Sequence, residues 1–287
     1  MKKLFWLIVL LPGLVKAQSG SEILVLDLKV KKGSVSASNP VNATRHPGYD
    51  NQPHFHPQLP LLYYASFNED GRSDIRAFNL KTKTTSNITT TAEREYSPTV
   101  TPDRQFLSCI IQRDNGAQDL GKYPIDGGEP QVLINNLTVG YHVWLDNSHV
   151  ALFVLGEPQT LHYLQLPTRQ DTILASGIGR SLHRIPGERA LGFVWKKAEN
   201  DWRIMRFDPE KNTVSEIAGT LPGREDLAWT ADGKILMSDG TKLFFYDTRS
   251  TGKNWMEVGI PPTPELKGIT RLAVNAKGDK LAVVVAE

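Results

Sequence analysis

Two groups of residues in this sequence could do chemistry. His54 and His56 flank Phe55. Side chains alternate along a strand with period 2, so both imidazoles fall on one side and could hold a metal. A metal needs a third ligand, and no His or carboxylate at sister positions is clearly placed to supply it. The pair is therefore read as structural, with His56 capping the turn that begins at Pro57. The second group is Asp50, Glu95, Tyr141, Arg180, Arg224, Asp226 and Arg271, which stand within a three-residue window that recurs about every 45 residues. Charges of both signs at one position of a repeat can grip a polar or zwitterionic ligand, such as a peptide segment. They can equally pair with one another on a solvated rim, where each pair is worth little. Nucleophilic catalysis finds no support, because no Gly-x-Ser-x-Gly occurs and the nearest stretch, Gly179-Arg-Ser181-Leu-His183, lacks the second glycine. No catalytic residue, metal site or cofactor is expected.

The elements that must position these residues are strands. Short runs rich in Val, Ile, Phe, Tyr and Leu are punctuated by Gly, Pro, Asn and Asp, and no long helical period is present. One unit reads as four strands, a to d. The turn between a and b falls near Leu59, Asp103, Asn147, Gly187, Asp232 and Lys277, at separations of 44, 44, 40, 45 and 45 residues. Strand b follows each turn as an apolar run, from Leu61-Leu-Tyr-Tyr-Ala65 to Leu281-Ala-Val-Val-Val285. Strand c reads Ile or Leu, three residues, then mostly Asp or Asn, as in Ile75-Arg-Ala-Phe-Asn79 and Leu243-Phe-Phe-Tyr-Asp247. Phe55, Trp144 and Trp229 recur at the repeat position that Val100 and Val274 also occupy and read as packing between units.

Only five copies of strand c follow the first turn. The sixth, Ile23-Leu-Val-Leu-Asp27, precedes it, while the chain stops just after the last strand b. The two ends therefore complete one unit. A ring of sheets leaves no open edge when its last strands pair with its first, and a period near 45 suits four-stranded blades. The sequence predicts an all-β, six-bladed β-propeller over residues 18–287. Its blades are expected near 50–92, 93–136, 137–176, 177–220, 221–262, and 266–287 plus 20–46. Residues entering strand a then surround one mouth of the central channel. Ser238-Asp-Gly-Thr241 is expected as a two-residue hairpin with Gly240 at positive φ.

The first 17 residues read as a secretory signal: Met1-Lys2-Lys3, an apolar run from Leu4 to Leu11, and Val15-Lys16-Ala17 before the cut. Eight apolar residues are too few to span a bilayer, and no later segment is long enough, so a soluble periplasmic or secreted protein is expected. The net charge of +2 includes three leader lysines, so the remaining chain carries −1. A nearly neutral chain disfavours nucleic-acid binding, which needs clustered Lys and Arg. Cys109 is the only cysteine; it rules out an internal disulfide, and its apolar neighbours predict a buried inert thiol rather than a disulfide-linked partner.

Gly48-Tyr-Asp-Asn-Gln-Pro-His-Phe-His-Pro57, Asp70-Gly-Arg-Ser-Asp-Ile75 and Leu120-Gly-Lys-Tyr-Pro-Ile-Asp-Gly-Gly-Glu-Pro130 resemble the repeat of TolB-like β-propellers. Ser97-Pro-Thr-Val-Thr-Pro-Asp103 and Ala228-Trp-Thr-Ala-Asp-Gly-Lys234 look like further copies. The resemblance spans nearly the whole mature chain and implies the propeller fold. The family's namesake carries an extra α/β domain, and similar propellers precede peptidase domains in the prolyl oligopeptidase family. Neither domain is expected here, so neither the envelope role of the namesake nor a peptidase activity is carried over. The expectation is an exported, non-catalytic propeller that binds a protein, peptide or glycan partner. The alternative is a hydrolase or lactonase whose channel metal sits on Glu, Asn and Asp from separate blades. Asp50, Asn51, Glu95 and Asp226 could form such a set, but three rim arginines would repel the cation.

Overall fold

A strand buried on both faces must be apolar throughout, and the strand b runs meet that condition. Tyr63, Ala65, Ile110, Leu152, Phe193 and Val283 are each at most 2 % exposed. In the computed structural model, which describes residues 20–287, the chain forms 24 strands in six four-stranded sheets arranged as a six-bladed β-propeller. The expected export signal over 1–17 lies outside the described residues. Among these residues, no helix is long and apolar enough to cross a membrane.

The chain begins with β1 (Ser21–Lys31) and β2 (Ser34–Asn42). The first complete sheet follows as β3 (Asp50–Phe55), β4 (Leu61–Phe67), β5 (Ser73–Asn79) and β6 (Thr85–Asn87). The second is β7 (Arg94–Val100), β8 (Phe106–Gln112), β9 (Gln118–Pro124) and β10 (Gln131–Ile134). The third is β11 (Val139–Trp144), β12 (His149–Val154), β13 (Thr160–Gln165) and β14 (Gln170–Ser176). The fourth is β15 (Ile178–Arg184), β16 (Leu191–Ala198), β17 (Asp201–Asp208) and β18 (Thr213–Gly219). The fifth is β19 (Leu227–Trp229), β20 (Lys234–Ser238), β21 (Leu243–Asp247) and β22 (Trp255–Glu257), and the chain ends with β23 (Arg271–Val274) and β24 (Lys280–Ala286).

The ring closes as the strand count predicts. The sixth sheet has the order β2-β1-β24-β23, with β1 antiparallel to β24 from Ser21 opposite Ala286 to Asp27 opposite Lys280. The closing strands also meet the neighbouring blades: Ser21 Oγ donates to the Asp50 carbonyl at 2.9 Å, and Gly259 N–H donates to the Val35 carbonyl at 2.9 Å. Apolar clusters fill the spaces between blades. One joins Tyr63, Ala65, Ile75 and Ala77 of the first blade to Val100 and Leu107 of the second.

Turns are fixed by side chains at one repeat position. Thr101 Oγ1 donates to Asp103 and accepts from Phe106 N–H, and Thr230 makes the same contacts to Asp232 and Lys234. At the sister position His56 Nδ1 accepts from Gln58 and Leu59 N–H at 3.0 and 2.9 Å. His56 is thus a turn cap, as its place before Pro57 predicts. The expected two-residue hairpin at Ser238 is instead longer. Ser238 pairs with Leu243, and Asp239 Oδ1 accepts from Thr241 and Lys242 N–H inside the loop, while Gly240 has the expected positive φ of 105°. Asp239 serves as the loop's own acceptor, which stabilises the wider turn.

Candidate functional site at the mouth of the channel

The innermost strand of each blade lines a central channel. At the end where these strands enter, one residue from each blade borders a cavity of about 130 Å³: Gln52, Ser97, Tyr141, Arg180, Asp226 and Arg271. At the other end the channel widens to about 770 Å³. The two spaces share Pro53, His54, Thr99, His142, Leu182, His183 and Leu272, which form a waist between them.

The mouth is organised around Asp226. Arg180 donates to it through Nε at 3.2 Å and Nη2 at 2.7 Å, a bidentate pair. Arg271 approaches the same carboxylate to 3.9 Å and donates from Nη2 to the Tyr141 hydroxyl at 2.6 Å. Its guanidinium lies 4.9 Å from the centre of the Tyr141 ring, in cation–π range. Because that hydroxyl accepts from Arg271, its own proton is free to donate into the cavity. Burial works against the Arg180 charge, but the Asp226 bond outweighs it and raises the Arg180 pKa. Glu225 accepts from Arg180 N–H at 3.2 Å and pairs with Lys196 at 2.8 Å. Arg180 also lies 3.6 Å from Glu225, so Arg180, Arg271 and Lys196 form one network with Asp226 and Glu225 at the cavity wall. Outside the cavity lining, Tyr49 packs 4.8 Å from Phe67, and Phe67 6.4 Å from Tyr96, centre to centre.

The waist carries three imidazoles without charge. Burial is the leading cause in each case, lowering His54 and His183 to about 4 and His142 to about 3. Ser108 commits its hydroxyl proton to the Thr99 carbonyl at 2.9 Å. His142 Nε2–H must therefore donate to Ser108 Oγ, 2.7 Å away, which leaves Nδ1 a buried acceptor with no partner. Ser181 Oγ lies 2.8 Å from His183 Nε2, but it also accepts Leu227 N–H at 3.1 Å. With the His183 pKa near 4, that pair lacks the base strength an activated hydroxyl requires.

Four of the residues singled out from the sequence come together here: Tyr141, Arg180, Asp226 and Arg271. Three do not line the mouth cavity. Arg224 stands outside it and donates to the Asp239 carbonyl. Asp50 and Glu95 are fully buried between blades. Burial raises the Asp50 carboxyl to about 6 and also raises Glu95, whose oxygens accept from Thr89, Thr91 and Tyr123. Gln52 and Ser97 occupy the rim in their blades, both at positive φ (58° and 53°), with Gln52 Oε1 accepting Ser97 N–H at 2.7 Å. Sequence reasoning missed them along with His142 and His183. The available signal was distance from the turn: His54 and Thr99 lie two residues beyond Gln52 and Ser97.

Fold and site together define a six-bladed propeller with a charged and aromatic channel mouth. No protein-family model matches the sequence, and no curated protein does. Among solved structures, the chain is similar to a protein assigned as TolB from Agrobacterium tumefaciens, with 15 % identity over 94 % of this chain and 99 % of that one and a TM-score of 0.69. It is also similar to an oligogalacturonate lyase in complex with manganese, with 16 % identity over 88 % and 83 % of the two chains and a TM-score of 0.59. A third likeness is to a chain of a nidogen/laminin complex, with 11 % identity over 88 % and 98 % and a TM-score of 0.64. At these identities the likeness is one of fold, the six-bladed β-propeller.

Proposed function

We propose that this chain is an exported, non-catalytic binding propeller that takes a peptide segment, protein loop or glycan of a partner at the channel mouth. The observation that carries this reading is the sharing of Asp226 by Arg180 and Arg271 beside the free hydroxyl proton of Tyr141. Arg180, Arg271 and Lys196 outnumber the carboxylates they pair with, Asp226 and Glu225, by three to two, which leaves a net positive site that favours an acidic group. The nidogen/laminin complex is a case of a related fold in a protein assembly. The apolar leader supports export to the periplasm or beyond.

Affinity capture from native envelope and culture fluid, with residues 18–287 as bait, tests the reading. A single stoichiometric partner retained by the wild-type bait and lost with Arg180→Ala/Arg271→Ala is the expected result. A partner held equally by both baits would place the contact elsewhere and sink the proposal.

The second reading, a hydrolase or lactonase with a channel-bound metal, draws on the manganese complex of the lyase fold. Among the described residues no three His, Cys, Asp or Glu converge as a ligand set, and the mouth arginines oppose a cation there. Elemental analysis of protein purified without chelator discriminates: stoichiometric manganese, calcium or zinc would favour this reading over the first.

A further inference from the structure

Below the waist the channel has a different chemistry. Its wall at one level is built from sister positions of the repeat: Phe55, Val100, Trp144, Trp229 and Val274 are apolar, and the sixth sister is Arg184. Arg104, on the turn of the second blade, joins Arg184 at this opening. The lining contains no Asp or Glu. Neither arginine takes part in any arginine salt bridge among the described residues. Arg184 Nε donates only to the Glu188 carbonyl at 3.3 Å, because the Glu188 carboxylate is held by Arg206 at 2.8 Å. The imidazoles at the waist are neutral and supply no counter-charge.

A chamber of about 770 Å³ is ligand-sized. The edges of Phe55, Trp144 and Trp229, each at most 8 % exposed, and the side chains of Val100, Val143 and Val274 give it an apolar lining for hydrocarbon, and its guanidiniums, free of salt bridges, attract an anion, with planar donors suited to a carboxylate or sulfonate. We propose that this lower chamber binds a small amphipathic anion, an aromatic or aliphatic acid whose apolar body lies on Phe55, Trp144 and Trp229 and whose acid group faces Arg184 and Arg104. The site is separate from the upper mouth, whose cavity of about 130 Å³ is below the size of a pocket for such a ligand.

The test uses two fluorescent probes with the same rings: 8-anilinonaphthalene-1-sulfonate, which is anionic, and N-phenyl-1-naphthylamine, which is neutral. Titration of residues 18–287 is expected to give saturable one-to-one binding of the sulfonate. Arg104→Ala/Arg184→Ala changes two exposed side chains, so the melting temperature should hold. It should weaken the sulfonate by about tenfold, the loss of one charge-assisted contact, and leave the neutral probe unchanged. Val143→Trp, which fills the chamber, should weaken both probes, and Arg180→Ala/Arg271→Ala at the upper mouth should weaken neither. Sulfonate affinity that survives loss of Arg104 and Arg184, or that falls with the upper-mouth pair instead, overturns the proposal. Should Val143→Trp fail to fold, the arginine pair alone decides.

Discussion

The indole Nε1–H of Trp144 donates to Ser108 Oγ of the preceding blade at 2.9 Å, so a single hydroxyl ties the third blade to the second. Its sister Trp229 has no such acceptor. Gly192 stands where Ser108 does, with its Cβ position 3.2 Å from the indole nitrogen, and that nitrogen is buried unpaired. One hydrogen bond is therefore made at one blade junction and omitted at its repeat. Replacing Ser108 by Ala would strand both the Trp144 and His142 donors. The expected cost is about 1–3 kcal/mol, read as a lower urea midpoint at unchanged slope. An unchanged midpoint would mean that water replaces the hydroxyl.

The closing strand should behave as core. Ile23 on β1 is fully buried and packs with Phe55, Leu62 and Val284, which come from the first blade and the last strand. Ile23→Ala should destabilise by about 2–5 kcal/mol, as expected for a buried aliphatic truncation. Deleting residues 18–30 removes most of β1, exposes the edge of β24 and should lower the melting temperature sharply. A deletion variant that melts like the whole chain would contradict closure by these two ends.

Acid should destabilise the ring, and the signs can be worked out. His54, His142 and His183 have folded pKa values near 4, 3 and 4, below the unfolded value of 6.5. Between those values the unfolded chain binds more protons, so their contribution is complete above pH 6.5 and is lost as pH falls toward 3–4. Asp50 acts the other way. Its folded value near 6 exceeds the model-compound 3.8, so from pH 6 down to 4 its protonation favours the native state. Melting temperature should fall on acidification from pH 7 to 5, because four imidazoles with lowered pKa, His56 among them, oppose the raised carboxyls of Asp50 and Glu95. Asp50→Asn should be more stable than wild type at pH 7 and should show a steeper acid loss. An Asn variant with the wild-type pH profile would show that Asp50 is ionised at pH 5.

The sequence made the ring legible because each strand b must be apolar on both faces, which marks six runs at one period and leaves Ile23–Asp27 unmatched until it meets Leu281–Val285. The same count located Tyr141, Arg180, Asp226 and Arg271 at the mouth. It misplaced Asp50 and Glu95 for a local reason. Both lie just before a bulge, where the ladder shifts between Asn51 and His54 and between Tyr96 and Thr99. A one-residue slip sends a side chain to the opposite face. Gln52 and Ser97 therefore sit at the cavity, and the carboxylates turn into the blade junction. Turn spacing carries no record of a bulge, and the positive φ that creates it falls here on residues other than glycine.

The central claim is that partners meet the channel mouth rather than the outer strands. A photo-crosslinking residue can be placed at Tyr141 in the mouth or at Ile173, which is 61 % exposed on β14. Each variant is then irradiated in native envelope extract and analysed by mass spectrometry. An adduct of one partner at position 141 and none at 173 is the predicted result. An adduct at 173 with none at 141 would contradict the account.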